Sequence, residues 1–413
     1  MVSKTYDWEH GAKLEDHTRK KHEILKRYFR EYLLTRCKMP QQEKFRIAIV
    51  DGFCGGGLYE CGSPGSPLLF IEGLLQAAIE INTERHQQGM KPIVIEGLLI
   101  FNDSKPSVIE LLQKNLIPCL LEVEAFEHLQ IEINFYTDKF EAIYPQIKQR
   151  LIAARCRNVF FNLDQCGYSK VTSSILRDII SSWNSAEILF TFMIESMLAF
   201  LSPDKSTNSV PIEPVMKKRI DGLLKNRDNL IGKKDWLAEA EQIAFAYLKD
   251  CATYVSPFSI NNPSGWQYWL MHFATSYRAR QVYNDVLHQC NAQAHFGRSG
   301  LNMLSYDPAH EGQLYLFDID SRQAAKNALY DDIPRFVAES GDAISMHDFY
   351  AAAYSETPAH SEDIHEMIME NIDIVVITET GGTRRKANTI KPTDTLKMKD
   401  QKSFIFMFPN EQE

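Results

Sequence analysis

Four carboxylates in the first 164 residues each follow an apolar run. Asp51 follows Phe45–Val50, Asp103 follows Ile93–Phe101, Asp138 follows Ile131–Tyr136, and Asp164 follows Asn158–Leu163. Short runs of this kind, rich in β-branched residues and bounded by turn signals, read as buried parallel strands. In an open α/β sheet, ligands bind in the crevice beyond the carboxyl ends of the strands. A carboxylate placed there can accept both hydroxyl hydrogens of a ribose. After Asp51 the chain turns through Gly55, Gly56 and Gly57, where the missing Cβ atoms let backbone approach a ligand closely. The spacing is neither the G-x-G-x-x-G fingerprint nor a Walker loop, and an ordinary Gly-rich surface turn is the plain alternative. Ser66-Pro67 then opens a helix in the usual way, with a Ser cap and Pro in the first turn. The N–H groups at its start suit a carboxylate or phosphate. Asp103 lies further from Asp51 than the roughly 20 residues of the dinucleotide rule; the long helical stretch Pro67–Met90 accounts for the difference.

Other elements must position these groups. Residues 14–34 read as an amphipathic helix, with Ile24, Leu25, Tyr28, Phe29, Tyr32 and Leu33 on one face. Its basic remainder (Arg19, Lys20, Lys21, Lys26, Arg27, Arg30) is a solvated face or one turned to nucleic acid. A fifth apolar strand spans Ala186–Ile194. Two more, Thr253–Ile260 and Trp266–Thr275, flank Asn262-Pro263-Ser264-Gly265 and predict an antiparallel hairpin. Between them, Ser202–Cys251 is a Lys/Arg-rich insertion, either a lid over substrate or a solvated excursion. Tyr277–Cys290 reads as a closing helix, and Gly297–Pro308 as a linker. The last hundred residues predict helices at Gln323–Tyr330, Ile333–Glu339, His347–Tyr354 and Ser361–Asn371, then strands at Ile374–Thr378 and Ser403–Phe408. Short helices followed by a β-hairpin, with Arg384 and Arg385 opening a long basic loop, suggest a winged helix. A small interaction or dimerisation domain is the alternative.

The composition bounds these readings. With 413 residues, 44% hydrophobic and 24% charged, the chain can bury a large core and divide into two or three domains. A net charge of −9 argues against coating nucleic acid by bulk charge, which leaves local basic patches to decide. The opening MVSKTYDWEH has no apolar run, so no signal peptide is expected. Ala186–Leu201 is interrupted by Glu187 and Glu195 and is too short to span a bilayer. Eight scattered cysteines without a C-x-x-C pair predict neither a disulfide framework nor a metal site. The expected compartment is the cytosol.

The D-G-F-x-G-G-G pattern of Asp51–Gly57 resembles the first motif of class I S-adenosylmethionine (SAM) methyltransferases. Five parallel strands with helical crossovers and a terminal hairpin are the strand inventory of that class. The resemblance implies a Rossmann-like α/β fold with a seven-stranded sheet, a helical insertion and a C-terminal winged-helix-like domain. The expected division is a helical extension over 1–44, a methyltransferase-like domain over 45–300 with its basic insertion at 201–251, and a winged-helix-like domain over 310–413. More narrowly, the chain resembles the bacterial three-Cys-motif partner (TcmP) proteins. The likeness runs through Tyr6-Asp7-Trp8, His17, Lys21–Leu25, Val50–Phe53, Gly55–Tyr59, Pro64–Pro67 and Leu163-Asp164-Gln165. That family's members occur beside a second protein carrying three cysteines, which implies such a partner.

A more distant likeness is to the adenine-N6 methyltransferases of large-subunit ribosomal RNA. It rests on Lys21-His22, Asp51, Gly55, Gly57, Tyr59, Pro64–Pro67, Asp103 before Pro106, Asp138 with Phe140, and Asp164. It implies SAM contacts from Asp51, Phe53, Gly55, Gly57, Asp103 and Asp138. It also implies that Asp164 and the Gln165 carbonyl hold a target amino group while Tyr168 stacks on the base. Lys21 and His22 become substrate contacts or, alternatively, a surface pair, and Arg384 and Arg385 become nucleic-acid contacts on the wing. The chain departs from those enzymes in having Gln165-Cys166-Gly167-Tyr168 where they have Pro-Pro-Tyr. Three functions therefore stand side by side: a methyltransferase acting on RNA or DNA, a non-catalytic SAM- or nucleic-acid-binding subunit of the three-Cys protein, and a methyltransferase acting on a small molecule or protein. For Asp164 itself, capping a helix that begins near Ser169 is the plain structural alternative.

Overall fold

The computed structural model describes residues 7–8, 10–165, 170–192, 245–256, 259–262, 265–290 and 319–400. The greater part of the expected 201–251 insertion, the expected boundary near His310, Tyr168 and the expected strand Ser403–Phe408 lie outside the described residues. A helix, α1 (Asp16–Arg36), leads into an alternation of strands and helices. These are β1 (Lys44–Asp51), α2 (Ser66–Gln87), β2 (Val94–Asn102), α3 (Pro106–Glu124), β3 (Leu129–Tyr136), α4 (Phe140–Ala153), β4 (Asn158–Leu163), α5 (Ser173–Ser182) and β5 (Ser185–Phe192). The five strands are parallel and run in the spatial order β3-β2-β1-β4-β5.

The expected hairpin closes the sheet. Its long arm, β8 (Gly265–Ala274), lies antiparallel to β5 and pairs on its other side with β6 (Tyr254–Ser256) and β7 (Ser259–Asn262). The short arm is thus in two pieces, so eight strand segments fill seven positions. This is the strand order and polarity of a class I SAM methyltransferase fold. Reversal of strand order at β1 and β4 opens a crevice beyond Asp51.

Strand alternation divides the core into two layers. Ile47 and Ile49 face α1, α2 and α3 with Leu99 and Phe160; Ala48 and Val50 face α4 and α5 with Ile100 and Phe161. Both faces of the central strands are buried, which is why these strands are apolar throughout rather than alternating. The closing helix α6 (Tyr277–Gln289) packs on the α1 side.

The C-terminal unit is a winged helix: α7 (Ile319–Glu339), β9 (Ala343–Ser345), α8 (Met346–Glu356), α9 (Ser361–Glu370), β10 (Ile374–Ile377) and β11 (Thr395–Met398). Its antiparallel sheet has the order β10-β11-β9. One expectation is corrected here, and two strands are added. The two helices expected at 323–339 are one, because Leu329, Ile333 and Val337 form an unbroken buried stripe at i, i+4, i+8, and the helix continues through Pro334. The three-residue β9 is too short to leave a periodic signal. The wing returns through β11, which the sequence did not single out because Leu396 alone of its four side chains is fully buried.

The two units share a core. Tyr254, Ala274 and Ala279 pack with Leu329, Phe349 and Tyr354. Asn284 Nδ2 donates to the carbonyls of Thr357 (3.1 Å) and Ala359 (3.3 Å), and Asp285 accepts from Ser361 N–H (2.8 Å) at the start of α9. Lys249 forms an ion pair with Glu356.

Candidate active site

The carboxyl ends of β1 to β4 gather the predicted carboxylates along one sheet edge. Hydrogen bonds tie the loops there into a single frame, and its centre is Asn102, which the sequence reading left without a role. Its side-chain Nδ2 donates to the carbonyls of Gly52 and Asp138, each at 3.0 Å, and its Oδ1 accepts from Asp138 N–H at 3.3 Å. Its own carbonyl accepts from Cys54 N–H at 2.9 Å. One buried amide thus fixes the turns after β1 and β3 relative to each other.

The glycine turn is approached closely, but by the side chains of Trp8, Leu111 and Leu112. Gly55 and Gly57 have φ of +64° and +87°, values that favour glycine. A Cβ added at Gly55 would lie 2.4 Å from Cζ2 of Trp8, so the indole rests directly on the turn. Trp8 also packs on Tyr59, with ring centroids 5.0 Å apart, and His22 lies on Tyr59 at 5.8 Å. Asn115 of α3 donates to the Gly56 carbonyl at 2.7 Å, and Gly65 N–H donates to the Gly57 carbonyl at 2.7 Å. Glu60 N–H donates to the Ala12 carbonyl (2.8 Å), which fastens the N-terminal segment to the turn. Trp8 came to notice only as part of a motif. Its place on the glycines has no local sequence signal, because it is set by a long-range contact.

The predicted cofactor residues sit in different environments. Asp51 is fully buried; its Oδ1 accepts from Phe53 N–H at 3.4 Å and its Oδ2 has no partner. Burial pushes its carboxyl up to about 7, against the opposing effect of the Ser66 and Asn162 side chains. Asp103 is half-buried and accepts from Lys105 N–H at 3.0 Å. Burial raises its carboxyl, opposed by the backbone N–H groups of Lys105 and Gly55. Asp138 is exposed and accepts from Lys139 N–H at 2.7 Å. Phe53 packs on Phe140 (5.7 Å between centroids), and the Lys170 ammonium sits 5.8 Å from its ring centroid. Asp51, Asp103 and Asp138 therefore lie at neighbouring strand ends, with Asp51 beneath the turn and the other two at its rim. An orphaned buried carboxylate oxygen beside a glycine turn suits a ligand bearing an ammonium or hydroxyl donor, as SAM does.

At the end of β4, Lys21 Nζ donates to both oxygens of Asp164 at 2.6 Å. Lys21 is buried, while the Asp164 side chain is 30% exposed. Burial acts to raise the Asp164 carboxyl, but the Lys21 ammonium outweighs it, with help from Thr191, and holds it below the usual carboxylate value. Burial and the same ammonium depress the neighbouring His22 to about 4, so its ring is neutral at pH 7. Lys21 and His22 thus belong to this end of the sheet and are not an isolated surface pair.

Among the described residues, the helix that follows β4 is capped by Thr172 and not by Asp164. Gln165 is the residue bonded to backbone there, its Oε1 accepting from Lys170 N–H (3.0 Å) and Val171 N–H (3.1 Å). Helix α5 begins at Ser173 with Thr172 as its cap. Tyr168 and Cys166 lie outside the described residues. Cys54 is buried with its thiol raised by burial, as befits a small turn residue.

The basic face of α1 is largely engaged. Lys20 bonds Glu23 (3.0 Å) and the Cys290 carbonyl (2.9 Å), Arg27 pairs with Glu23 (3.5 Å), and Arg30 pairs with Glu31 and Glu80. On the wing, Arg384 forms a two-point ion pair with buried Asp394 (2.8 and 2.9 Å), whereas Arg385 and Lys386 are exposed. Among the described residues no group of His, Cys, Asp and Glu could hold a metal ion, and no helix is long and apolar enough to cross a membrane.

The fold and this site together define a class I methyltransferase-like protein with a C-terminal winged helix. Residues 305–381 match the GMT-like wHTH domain. No curated protein matches the chain. Among solved structures, the chain is similar to a candidate O-methyltransferase from Klebsiella pneumoniae, at 10% identity over 60% of this chain and 80% of that one, with a TM-score of 0.27. It is also similar to the O-methyltransferase TomG from Streptomyces achromogenes, involved in tomaymycin synthesis and solved with SAM. There the identity is 12% over 64% and 92% of the two chains, with a TM-score of 0.26. The fold assignment rests on strand order and register, not on these two likenesses.

Proposed function

We propose that the chain is a SAM-dependent methyltransferase of the three-Cys-motif partner (TcmP) kind, acting on a base amino group in nucleic acid. The observation that carries this reading is the Lys21–Asp164 pair beside neutral His22. A carboxylate held ionised and weakly basic is a good hydrogen-bond acceptor and a poor general base. That suits an exocyclic amino group, which offers hydrogens to the acceptor and a lone pair to the methyl. A hydroxyl acceptor would need its proton removed, and neither Asp164 nor His22 is poised near neutrality to take it.

SAM, when bound, supplies a methyl group that is already activated, so the protein's part is chiefly orientation. Asp103 would accept the ribose hydroxyls, Asp138 would face the adenine amino group, and Asp51 Oδ2 would accept from a donor on the cofactor. Phe53 would offer its ring edge. An ionised carboxylate has about four lone-pair positions, so Asp164 can keep Lys21 while accepting from a substrate amino group. The Gln165 carbonyl and, by the resemblance, Tyr168 would complete the proposed acceptor site. Arg385, with Lys386, supplies exposed charge on the wing for the nucleic-acid backbone; Arg384 braces the wing from within. The reading includes a three-Cys protein as partner and a cytoplasmic setting.

One observation favours the second reading, a non-catalytic binding subunit: both Asp164 oxygens already accept from Lys21. Transfer of labelled methyl from SAM to total RNA, DNA and protein, with the three-Cys protein present and absent, separates the two. Label in nucleic acid supports the first reading. Label that needs the partner and survives Asp164→Ala supports the second, and label in protein or small molecules alone contradicts both.

A further inference from the structure

In a helix-turn-helix unit the second helix of the pair enters the major groove, and its N-terminal residues reach the base edges. In this winged helix that element is α9, and its start is already engaged by α6. Asn284 bonds the Thr357 and Ala359 carbonyls, and Asp285 accepts from both the N–H (2.8 Å) and the hydroxyl (2.7 Å) of Ser361. His360, the cap of α9, is buried with its Nε2 3.7 Å from the same carboxylate. The outer face of α9 has the wrong charge for phosphate. The helix carries four acidic residues and no lysine or arginine. Glu362, Glu366 and Glu370 are exposed at i, i+4 and i+8, a single row along it. Lys326 of α7 pairs with Glu366 of that row (2.7 Å) and with buried Asp363 (3.1 Å). A glutamate can accept from a cytosine amino group, but only where cations hold the backbone alongside, and α9 supplies none.

The loop between β10 and β11 is opposite in charge. Residues 385–393 include Arg385, Lys386 and Lys391 and no acidic residue, and these three side chains are exposed. The two-point pair of Arg384 with Asp394 (2.8 and 2.9 Å) closes the loop at its base. Beyond Lys391, the carbonyls of Pro392 and Asp394 accept from His347 N–H (3.0 Å) and Met346 N–H (2.7 Å) at the start of α8. A loop pinned in this way has little backbone left to order on binding. We propose that the C-terminal unit takes a nucleic-acid backbone on this loop, through phosphates alone, and that α9 stays out of the groove. The inference rests on the nucleic-acid reading above and narrows it. Phosphate contacts position a duplex but carry no sequence information directly, so the choice of target base falls to the crevice.

The test titrates the full chain into two fluorescein-labelled DNA duplexes of unrelated sequence, and into the same sequences as RNA, over a range of salt. Wild type is compared with Lys391→Ala and with the double variant Glu362→Gln, Glu370→Gln, and thermal melting checks that each is folded. Lys391→Ala should weaken every duplex alike and lower the slope of log K against log salt by about 1, for one lost phosphate contact. The α9 double variant should keep each affinity within fivefold of wild type. Hydrogen exchange on binding should show new protection at 385–391 and none at 361–370. An unchanged slope in Lys391→Ala, a larger change in the α9 variant, or new protection of α9 would overturn the inference while leaving nucleic acid as the target. Absence of binding to all four duplexes would overturn the nucleic-acid reading with it.

Discussion

Asp164, partly exposed, and Asp51, fully buried, are both carboxylates at strand ends, and their surroundings drive them in opposite directions. Lys21 holds Asp164 ionised, whereas Asp51 has no cation beside it and is raised to about 7. For Asp164, the account predicts that Asp164→Ala abolishes methyl transfer while the KM for SAM moves less than threefold, since the lost contact belongs to the acceptor. A variant that loses cofactor binding in proportion would place Asp164 in the wrong half of the site. For Asp51 the sign is opposite to that of the usual paired acid. Between its unfolded value near 4 and its folded value near 7, the folded state binds more protons, so this residue's contribution falls as pH rises. Asp51→Asn removes that slope. Relative to wild type, the variant should gain roughly 4 kcal/mol between pH 4 and pH 8, an order-of-magnitude figure from 1.36 kcal/mol per pKa unit. Urea denaturation of both proteins across that range measures it, and a constant difference would show that Asp51 is not raised. These environments could not be foreseen from the sequence. It places an acid after each strand, but the cation that holds Asp164 ionised sits on α1, more than 140 positions away.

At the level of elements, α1 was legible in the sequence through its apolar stripe, and Lys21 and His22 were placed at the site by resemblance, while the pairing of Lys21 with Asp164 was not legible. Tyr28, two turns along from Lys21, is buried in the same helix. Its hydroxyl donates to Glu187 of β5 and lies 3.0 Å from His272 Nε2 of β8. His272 in turn stacks on Tyr283 of α6, with centroids 4.4 Å apart. This polar cluster fixes α1 against the sheet and with it the reach of Lys21 to Asp164. Tyr28→Phe should cost about 1–3 kcal/mol, the usual range for leaving a buried partner unsatisfied, with the cofactor pocket unchanged. A melting temperature equal to wild type would show that the cluster does not anchor the helix. The glycine turn and the parallel strands were the most readable elements, because their residue types are dictated locally by positive φ and two-sided burial. Asn102 was unreadable for the opposite reason, since its three side-chain bonds go to loops 36 and 50 positions away. On the wing, Arg384 and Arg385 look alike in sequence; only the buried Asp394 separates them. The double variant Arg385→Ala, Lys386→Ala should therefore weaken nucleic-acid binding and lower the slope of log K against log salt by about 2, one for each lost phosphate contact. An unchanged slope would remove the wing from the interface.

Over the whole molecule, the two units share buried side chains at their seam. Helix α6 closes the methyltransferase-like unit on one side and bonds the start of α9 on the other through Asn284 and Asp285. The central claim is a division of the crevice at β1 and β4, with cofactor over the ends of β1 to β3 and acceptor at the end of β4. Calorimetric titration of SAM into wild type, Asp103→Ala and Asp164→Ala tests it most directly. The account predicts saturable one-to-one binding to wild type, at least tenfold weaker binding to Asp103→Ala, and binding within threefold of wild type for Asp164→Ala. No heat from wild type, or loss of binding in Asp164→Ala with none in Asp103→Ala, would contradict it.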